Sequence, residues 1–422
     1  MKRRLPRTLL AVIALAIAGT AIAAPTPVTA GGVSSPVGAT RSLTQPDTMP
    51  LPATSGTPKI EQVRRGQVVA TYTKFGNAGI WQRSHSTIKT QPGDVFLVYP
   101  AVYEGPGQYP WIGPLATAGD PSTPIAPTNI TIRGVTVNGR RPVLKLGTQV
   151  DYNVLGHGMI EVSQANTLTI ENLDIDGTAG SWIDRAGIYI VASRNVTLRN
   201  MRIHGFQDSQ HNGVFASGAS SGTLYLDNVR MYDNGGWDGP SHNIYVNAST
   251  SDPNYTVKMT NSYASAVNVG HLFKSRAQVT VLTGNLFEGI DKPADWDCAE
   301  SFDIDVPEGG RLTVTNNVLI KGRSGDCANG VLLRYAAETV DPARQHGVVV
   351  RNNTFIARST TYDSFGHPNM PMTFYYPAIV PGAAGWPSGT TYDIRDNRFE
   401  GFPATGSPSA MYRGLNYVDV PG

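Results

Sequence analysis

Long apolar runs are almost absent from this chain of 422 residues. The first residues contain the one clear example, in which TLLAVIALAIAGTAIA follows the cationic stretch MKRRLPR and ends in small residues at Ala21–Ala23. This pattern predicts a secretory signal peptide at residues 1–23. No later stretch approaches the roughly 18 apolar residues that a membrane-spanning helix needs. We therefore expect an exported protein, secreted or periplasmic, with no membrane contact once the signal peptide is removed.

An excess of charge of either sign is also lacking. Asp, Glu, Lys and Arg make up 16% of the residues. Removing Lys2, Arg3, Arg4 and Arg7 with the signal peptide lowers the basic count from 34 to 30, against 32 acidic residues. A nearly neutral chain gives no support for binding to nucleic acid, which requires a strongly basic surface. Any attraction for an acidic ligand must therefore come from a local group of cations.

Residues 24–58 have few charges and few large apolar side chains. Pro, Thr, Ser, Gly and Ala dominate this segment. Such a composition cannot bury enough apolar surface to offset the entropy lost on ordering. We predict a disordered linker at 24–58 and one folded domain at 59–422, with a glycosylated stalk as the alternative for the linker.

A helical pattern is missing from the rest of the chain, and a repeated strand pattern takes its place. NITIRGVTVNG at 129–139 has counterparts such as NVTLRNMRIHG at 195–205 and VVVRNNTFIAR at 348–358. Each unit contains an alternating apolar strand, a pivot and a second short strand, and this period without helices is typical of a β-solenoid. Asn suits the pivot because it tolerates left-handed backbone, and stacked Asn side chains can form a ladder. The predicted pivots are Gly134, Asn172, Asn200, Asn228, Asn261, Asn285, Asn317, Asn353 and Asn397.

A third predicted strand precedes each of these units, which gives three strands per repeat. Alternation of apolar and polar residues is the signal for a strand with one buried face. The third strands are GMIEV at 158–162, GIYIV at 187–191, GVFAS at 213–217, NIYVN at 243–247, HLFKS at 271–275, SFDID at 301–305 and GVLLR at 330–334.

The stretch QPGDVFLVYPAVYEG at 91–105 resembles the opening coil of pectate-lyase-like proteins. Together with the repeat, it makes residues from about 60 to 405 similar to that superfamily. The resemblance implies an all-β fold: a single-stranded right-handed parallel β-helix, a solenoid with three strands per coil, which we expect to be a monomer. It is specific for the fold and not for the activity.

Cysteine is scarce, with two residues in the whole chain. Cys298 lies four residues before Phe302 and Cys327 lies four before Val331, so the two occupy the same position in consecutive coils. Adjacent strands are about 4.8 Å apart, which is within reach of a disulfide. Because an exported protein meets oxidising conditions, we predict a Cys298–Cys327 disulfide, with two free thiols as the alternative.

Charged and aromatic side chains gather on the predicted outer face of four consecutive third strands. An isolated ion pair on a surface contributes little. A cluster of cations and carboxylates on an otherwise uncharged sheet is more typical of a functional site. The predicted stripe consists of His242, Tyr245, His271, Lys274, Arg276, Asp303, Asp305 and Arg334.

The stripe contains the residue types that β-elimination at a uronic acid requires. Arg276 suits the neutralisation of a substrate carboxylate, because a guanidinium binds a carboxylate through two hydrogen bonds. Lys274 resembles the lysine base of lyases of the chondroitinase B and alginate lyase type, and the nearby charge of Arg276 disfavours its protonated form. His271, His242 and Tyr245 compete as bases or acids. The sequence therefore predicts a polysaccharide lyase with an acidic polysaccharide as substrate.

Other functions stay open. The spacing of Asp303 and Asp305 along a strand, about 7 Å, is compatible with an inverting glycoside hydrolase. Both could instead join Glu300 in binding Ca²⁺, although no calcium-loop spacing is present, so we expect either no cofactor or Ca²⁺. A non-catalytic polysaccharide-binding β-helix is the third alternative. Outside the catalytic group, the residues predicted to bind substrate are Arg334, Asp303, Asp305, Trp237 and His211.

Overall fold

The computed structural model describes the larger part of the domain. Within the described residues the structure is all-β, and a 3-10 turn at Phe75–Asn77 is the one helical element. None of the described segments forms a helix long and apolar enough to cross a membrane. The signal peptide predicted at 1–23 lies outside the described residues. These are 47–77, 90–113, 115–117, 120–125, 128–147, 157–178, 185–208, 210–236, 240–248, 252–291, 300–322, 331–338, 340, 344–358, 370–374, 391–402 and 412–413.

The seven predicted third strands lie in one parallel sheet of ten strands, with one further strand before them and two after them. Its strands follow one another in chain order, each paired in parallel with the strand of the next repeat. The stacking that the repeat predicted is therefore confirmed. The strands are Trp111–Ile112, Gly158–Ser163, Ala186–Val191, Asn212–Ser217, Ile244–Asn247, His271–Ser275, Phe302–Val306, Val331–Tyr335, Met370–Phe374 and Tyr412–Arg413.

The strands on either side of the pivots also stack in parallel. Two long strands, Arg194–His204 and Ser221–Tyr232, run through their pivots without a break. These long parallel stacks are consistent with a β-helix. The strands before the pivots are Val95–Val98, Thr128–Gly134, Asn166–Glu171, Thr256–Thr260, Val279–Thr283, Arg311–Thr315, Gly347–Arg351 and Thr391–Arg395; those after the pivots are Val102–Glu104, Val143–Lys145, Asp174–Asp176, Tyr263–Ser265, Leu286–Glu288, Val318–Lys321, Thr354–Ala357 and Arg398–Glu400.

Short additional strands lie near the N-terminal end of the domain. The antiparallel hairpin Ile60–Arg64 and Gln67–Tyr72 pairs with the first stacked strand. Leu115–Thr117 pairs antiparallel with Asp120–Ile125. Within the predicted linker, Leu51–Pro52 pairs in parallel with Arg140–Arg141.

Residues 47–53 are held against the body of the protein. The Leu51 amide donates to the Gly139 carbonyl at 2.9 Å, and the Ala53 amide donates to the Arg141 carbonyl at 2.9 Å. The Asp47 carboxylate accepts a hydrogen bond from Arg202 Nε at 2.9 Å. The last part of the predicted linker is thus bound to the sheet by backbone pairing and an ion pair.

The predicted pivots from Asn172 to Asn261 take the left-handed turn, and those of the later repeats are shifted by one residue, whereas Gly134, predicted as the first pivot, does not have a positive φ angle. Asn172, Asn200, Asn228 and Asn261 have positive φ angles, between 51° and 58°, as expected of left-handed Asn. In the last four repeats the left-handed residue is instead the one before the predicted pivot: Gly284, Asn316, Asn352 and Asp396. The prediction that Asn285, Asn317, Asn353 and Asn397 themselves take the left-handed turn is therefore wrong.

The four shifted Asn residues form a ladder of side chains. Asn285 Nδ2 donates to Asn317 Oδ1 at 2.9 Å, Asn317 Nδ2 to Asn353 Oδ1 at 3.0 Å, and Asn353 Nδ2 to Asn397 Oδ1 at 2.9 Å. Each of the first three also donates to a backbone carbonyl, for example that of Leu282 at 2.9 Å. Since Asn285, Asn317 and Asn353 are almost completely buried, this ladder satisfies polar groups within the core.

Alternation along the ten-stranded sheet separates a buried row from an outer row. The buried row is apolar and has no exposed surface. The strand register aligns the outer row residue by residue. The buried row consists of Ile160, Ile188, Val214, Ile244, Phe273, Ile304 and Leu333; the outer row consists of Glu161, Tyr189, Phe215, Tyr245, Lys274, Asp305 and Arg334.

Candidate functional site

The outer row changes from aromatic to ionic along the sheet. The Tyr189 and Phe215 rings lie 5.5 Å apart, and the Phe215 and Tyr245 rings stack at 5.2 Å with an interplanar angle of 21°. After Tyr245 the next three positions are Lys274, Asp305 and Arg334. Four residues of the predicted stripe, Tyr245, Lys274, Asp305 and Arg334, are therefore aligned in one row, and the last three of them are charged.

Gly270 allows two histidines to stack at the start of this ionic end. A Cβ atom at Gly270 would lie 1.6 Å from the Ser241 carbonyl oxygen, so no other residue fits this close approach. The His242 and His271 rings stack with centroids 4.5 Å apart, and the His271 amide donates to His242 Nδ1 at 2.9 Å. Burial holds the pKa of both histidines well below the usual range, and the nearby charge of Lys274 lowers it further. Both rings are therefore neutral at neutral pH.

Asp305 is the buried centre of the ionic end. Its two carboxylate oxygens accept hydrogen bonds from Arg334 Nε at 2.8 Å and Nη2 at 2.7 Å, which is a bidentate pair. Lys274 Nζ lies 3.5 Å from Asp305 Oδ2, and His271 Nε2 lies 3.4 Å from it. Asp305 has no exposed surface. It serves to hold three side chains in place, and it does not face solvent as the alternation argument expected.

Arg276 is held by one phenol and two carboxylates. Its Nε donates to Tyr245 Oη at 3.0 Å, its Nη1 donates to Glu308 at 2.8 Å, and its Nη2 contacts Glu338. Although burial opposes it, the pKa of Arg276 is raised by Tyr245 and the two glutamates. Burial raises the pKa of Tyr245, against the effect of Arg276, so the phenol keeps its proton at neutral pH.

Glu338 joins the cations of this region. Its Oε1 lies 3.4 Å from Lys274 Nζ and 3.2 Å from Arg334 Nη2, and its Oε2 contacts Arg276. Arg344 Nη2 lies 3.2 Å from Glu308 and extends the network. We call the whole set the ionic cluster: Lys274, Arg276, Asp305, Glu308, Arg334, Glu338 and Arg344.

The sequence missed the two glutamates of the ionic cluster. Glu308 follows the outer-row residue Asp305 by three positions, and Glu338 follows Arg334 by four. Both lie just beyond a strand of the ten-stranded sheet. Acidic residues three or four positions after two aligned outer-row residues were the signal available, since strands that stack in register also bring the residues after them together.

Lys274 does not stand among cations alone, as the sequence argument assumed. Two carboxylates, Asp305 and Glu338, lie within 3.5 Å of its amine. The amine also lies 5.6 Å from the centroid of the Tyr245 ring. The positive charge of Arg276 is thus balanced around Lys274 by acidic neighbours.

Asp303 is separate from the ionic cluster. It was expected on the outer face beside Asp305, but it is completely buried. Burial raises its pKa well above the usual range, the positive charge of Lys321 opposes this, and the negative charge of Glu300 adds to it. Asp303 and Asp305 therefore belong to different surroundings, and the carboxylate pair expected of an inverting hydrolase is not formed.

The three predicted calcium ligands do not form one site, because Glu300 and Asp303 are buried near Lys321 whereas Asp305 lies in the ionic cluster. Lys321 Nζ lies 3.2 Å from Glu300 Oε1 and donates to the Glu300 carbonyl at 2.6 Å. An ammonium beside Glu300 and Asp303 repels a divalent cation, and Asp305 is bound to Arg334 instead. Across the part of the chain that the structure describes, no group of three His, Cys, Asp or Glu side chains is arranged to hold a metal ion.

The remaining predicted residues have different outcomes. His211 precedes the strand Asn212–Ser217 and is almost completely buried. The side-chain oxygen of its neighbour Asn212 accepts a hydrogen bond from the His242 amide at 2.8 Å, so His211 lies one strand before the histidine stack. Trp237 and the proposed disulfide partners Cys298 and Cys327 lie outside the described residues.

No protein-family model and no curated protein matches the sequence. Among solved structures, the A-module of the mannuronan C-5 epimerase AlgE4 from Azotobacter vinelandii is 12% identical, with 77% of this chain and 91% of that chain covered and a TM-score of 0.36. DFA-IIIase from Arthrobacter chlorophenolicus A6, in complex with DFA-III, is 11% identical over 76% of this chain and 80% of that chain, with a TM-score of 0.32. The Streptococcus pneumoniae surface protein and adhesin PfbA is 10% identical over 72% and 88%, with a TM-score of 0.33. All three TM-scores lie below 0.5, so these likenesses say nothing about the activity of this chain.

Proposed function

We propose that the chain is an exported, monomeric, right-handed parallel β-helix of three strands per coil that cleaves an acidic polysaccharide by β-elimination. The domain would span 59–422, after a signal peptide at 1–23 and a linker at 24–58, of which residues 51–53 pair with residues 139–141. The parallel stacks and the aligned rows support the coil. A chain of this kind meets extracellular polymers, which gives the ionic cluster a substrate.

One observation carries the functional part of this proposal. Lys274, Arg276 and Arg334 point their cationic groups at one place on the outer face, and each side chain retains between 11% and 18% of its exposure. Cations that are partly desolvated and held by neighbours bind a carboxylate more strongly than mobile surface cations do. Such a place matches the carboxylate of a uronic acid.

β-Elimination needs that carboxylate neutralised, a base at C5 and an acid at the C4 oxygen. Arg276 and Arg334 supply the neutralisation. Tyr245 suits the acid, because it keeps its proton at neutral pH and the hydrogen bond from Arg276 stabilises the phenolate formed when the proton leaves. Lys274 lies beside Tyr245. It is the proposed base and acts as the neutral amine, so its ammonium must first give a proton to solvent before it takes the C5 proton.

The test is to incubate the mature protein with uronate polymers and to follow the ultraviolet absorbance of the unsaturated uronate product. We expect Lys274→Ala and Tyr245→Phe each to lower the rate by about a hundredfold or more, because each removes one proton-transfer group. Tyr245→Phe keeps the ring that stacks on Phe215. Lys258→Ala is the matched control. Lys258 also lies near a tyrosine ring, that of Tyr225, but its strand Thr256–Thr260 belongs to the stack before the pivots and not to the ten-stranded sheet.

Three outcomes separate the candidate functions. New absorbance that depends on Lys274 and Tyr245 supports the lyase. New reducing ends without that absorbance point to hydrolysis, and binding without cleavage points to a polysaccharide-binding protein. Full activity in both variants would show that the proton-transfer groups lie elsewhere.

A further inference from the structure

Glu338 holds an unusual position in the ionic cluster, because its one carboxylate receives three cations. Lys274 and Arg276 reach it from one repeat, and Arg334 reaches it from a strand two places further along the sheet. Its own backbone is fixed by a hydrogen bond from the Glu338 amide to the Pro307 carbonyl at 2.9 Å. The carboxylate is therefore presented to the cations from a residue that follows the strand Val331–Tyr335.

The three carboxylates of the ionic cluster differ in their access to solvent. Asp305 is completely buried, and the Glu308 side chain keeps 12% of its exposure between Arg276 and Arg344. The Glu338 side chain keeps 34%. Glu338 is thus the member that can leave the cluster for water without opening the sheet beneath it.

We propose that the Glu338 carboxylate occupies the position of a substrate carboxylate in the free protein and that an incoming uronate displaces it. This rests on the proposed function, since it takes the outer row as the polysaccharide site. A carboxylate bound by two guanidinium groups and an ammonium has the same charge and the same hydrogen-bonding needs whether it belongs to Glu338 or to a uronic acid.

Charge balance supports this exchange. With Glu338 in place, the four cations of the ionic cluster face three carboxylates, so little net charge is left to attract a ligand. When Glu338 swings out, two carboxylates remain, and the net charge of the seven-residue cluster without Glu338 is one unit more positive than with it. A polymer with a carboxylate on successive sugars can replace Glu338 and keep the balance, whereas a neutral polymer cannot.

The competition predicts that removing the glutamate strengthens binding. Apparent affinity is reduced by the fraction of protein in which the site is open. We expect Glu338→Gln to bind oligogalacturonate or oligomannuronate of defined length about tenfold more tightly, the gain expected if the closed form holds about nine-tenths of the free protein. Glu338→Ala should give a similar gain, and isothermal titration calorimetry measures both.

Glu171→Gln is the matched control. The substitution and its effect on net charge are the same as in Glu338→Gln. Glu171, however, pairs with Arg133 on the stack of strands before the pivots, away from the ten-stranded sheet. Its affinity should stay within about twofold of that of the unmodified protein, because long-range charge is screened by salt. A neutral oligosaccharide of equal length should bind no more tightly to Glu338→Gln, Glu338→Ala or Glu171→Gln than to the unmodified protein.

The outcomes distinguish this inference from the proposed function. Tighter binding in both Glu338 variants, and not in Glu171→Gln, supports the displacement. Equal or weaker binding in both Glu338 variants, with clear binding by the unmodified protein, overturns the displacement and leaves the polysaccharide site standing. Failure of the unmodified protein and both Glu338 variants to bind any uronate oligomer overturns both.

Discussion

Lys321 brings an ammonium group into a region without solvent. The residue has no exposed surface, and its Nζ is bound by the Glu300 and Ser301 carbonyls at 2.6 and 3.1 Å. The carboxyl groups of Glu300 and Asp303 are buried in the same region. Burial raises the pKa of Asp303 well above its usual range, which favours its protonated form, and Lys321 Nζ forms an ion pair with Glu300 Oε1 at 3.2 Å.

Replacing Lys321 by Met should therefore destabilise the protein strongly. Removing one member of a buried ion pair leaves an uncompensated charge, which costs about 3–5 kcal/mol of unfolding free energy. Asp303→Asn replaces a protonated carboxyl group by an uncharged amide and should cost about 1 kcal/mol or less. Chemical denaturation measures both. Equal losses in the two variants would contradict the assignment of the charge to the pair Lys321–Glu300.

Sequence alternation could not separate Asp303 from Asp305. The alternation argument assumes that every second residue of a strand lies on the same face. In this strand, however, Phe302 and Asp305 both contact Arg334, although they are three positions apart, and Phe302 also contacts the His271 ring. The partner of Asp303 is Lys321, which lies on a strand after a pivot. Nothing in a single sequence indicates which residues of two different strands meet at the junction between sheets.

The Asn ladder is the main feature at the scale of elements. In the earlier repeats, the residue after the left-handed Asn is apolar, as in Leu173, Met201 and Val229, and these are completely buried. From Ser262 onward the same position is polar, and the Asn285 side chain accepts a hydrogen bond from the Ser262 amide at 3.0 Å. The turn is therefore held by apolar packing in the first part of the domain and by hydrogen bonds in the second.

Asn317→Ala tests the contribution of the ladder. Asn317 Oδ1 accepts two hydrogen bonds from Asn285, and Asn317 Nδ2 donates to Asn353 and to the Leu282 carbonyl. Losing these bonds in a buried place should lower the unfolding free energy by about 2–4 kcal/mol. The neighbouring left-handed residue provides the control, since Asn316→Gly keeps the backbone conformation and should cost about 1 kcal/mol or less. Similar midpoints of denaturation in both variants would contradict a structural role for the ladder.

The repeat predicted the ladder but not its register. Asn is common both at left-handed positions and at stacked buried positions, and NN at 316–317 and 352–353 contains one of each. An alignment of the repeats on Asn alone cannot distinguish the left-handed position from the ladder position. The buried apolar residues at the equivalent position of earlier repeats were the signal that distinguishes them.

At the scale of the whole molecule, the pattern of strands was predictable and the ionic chemistry was only partly so. The period and the alternation were sufficient for three parallel sets of strands, because a solenoid repeats one local solution. The cations Lys274, Arg276 and Arg334 were found because they lie within strands or next to them. Glu308 and Glu338 lie in the segments between strands, whose course the repeat does not determine.

The two stacked histidines make the stability of the whole domain sensitive to acid. Both have a lowered pKa in the folded protein, whereas unfolded histidine binds a proton below about pH 6.5. Their contribution to stability is present above that pH and is lost as the pH falls towards the folded pKa. We expect the melting temperature to fall between about pH 7 and pH 5, above the range in which ordinary carboxylates titrate.

Calorimetry across this range measures the effect, and His271→Gln should make the melting temperature less dependent on pH because one of the two histidines is gone. Asp303, with its raised pKa, acts in the opposite direction, since its contribution is present at low pH and is lost as the pH rises. In an Asp303→Asn background, which removes this opposing carboxyl group, a melting temperature that is constant from about pH 7 to pH 5 would show that the histidines are accessible to protons in the folded state.

The ladder also has a consequence for how a chain of this kind can change in length. Its successive members are separated by 32, 36 and 44 residues, yet the side chains meet in the same way each time. Insertions between ladder members therefore leave the hydrogen bonds of the ladder unchanged. Only the gain or loss of a whole repeat changes the number of its members. If the repeat that begins at Asn317 and ends just before Asn353 were duplicated in tandem, each Asn of the ladder would again meet an Asn in the next repeat. A duplication that placed Val229 against Asn285 would not give this pairing. The C-terminal half is thus the part in which gene duplication can add or remove a repeat without a new interface having to evolve.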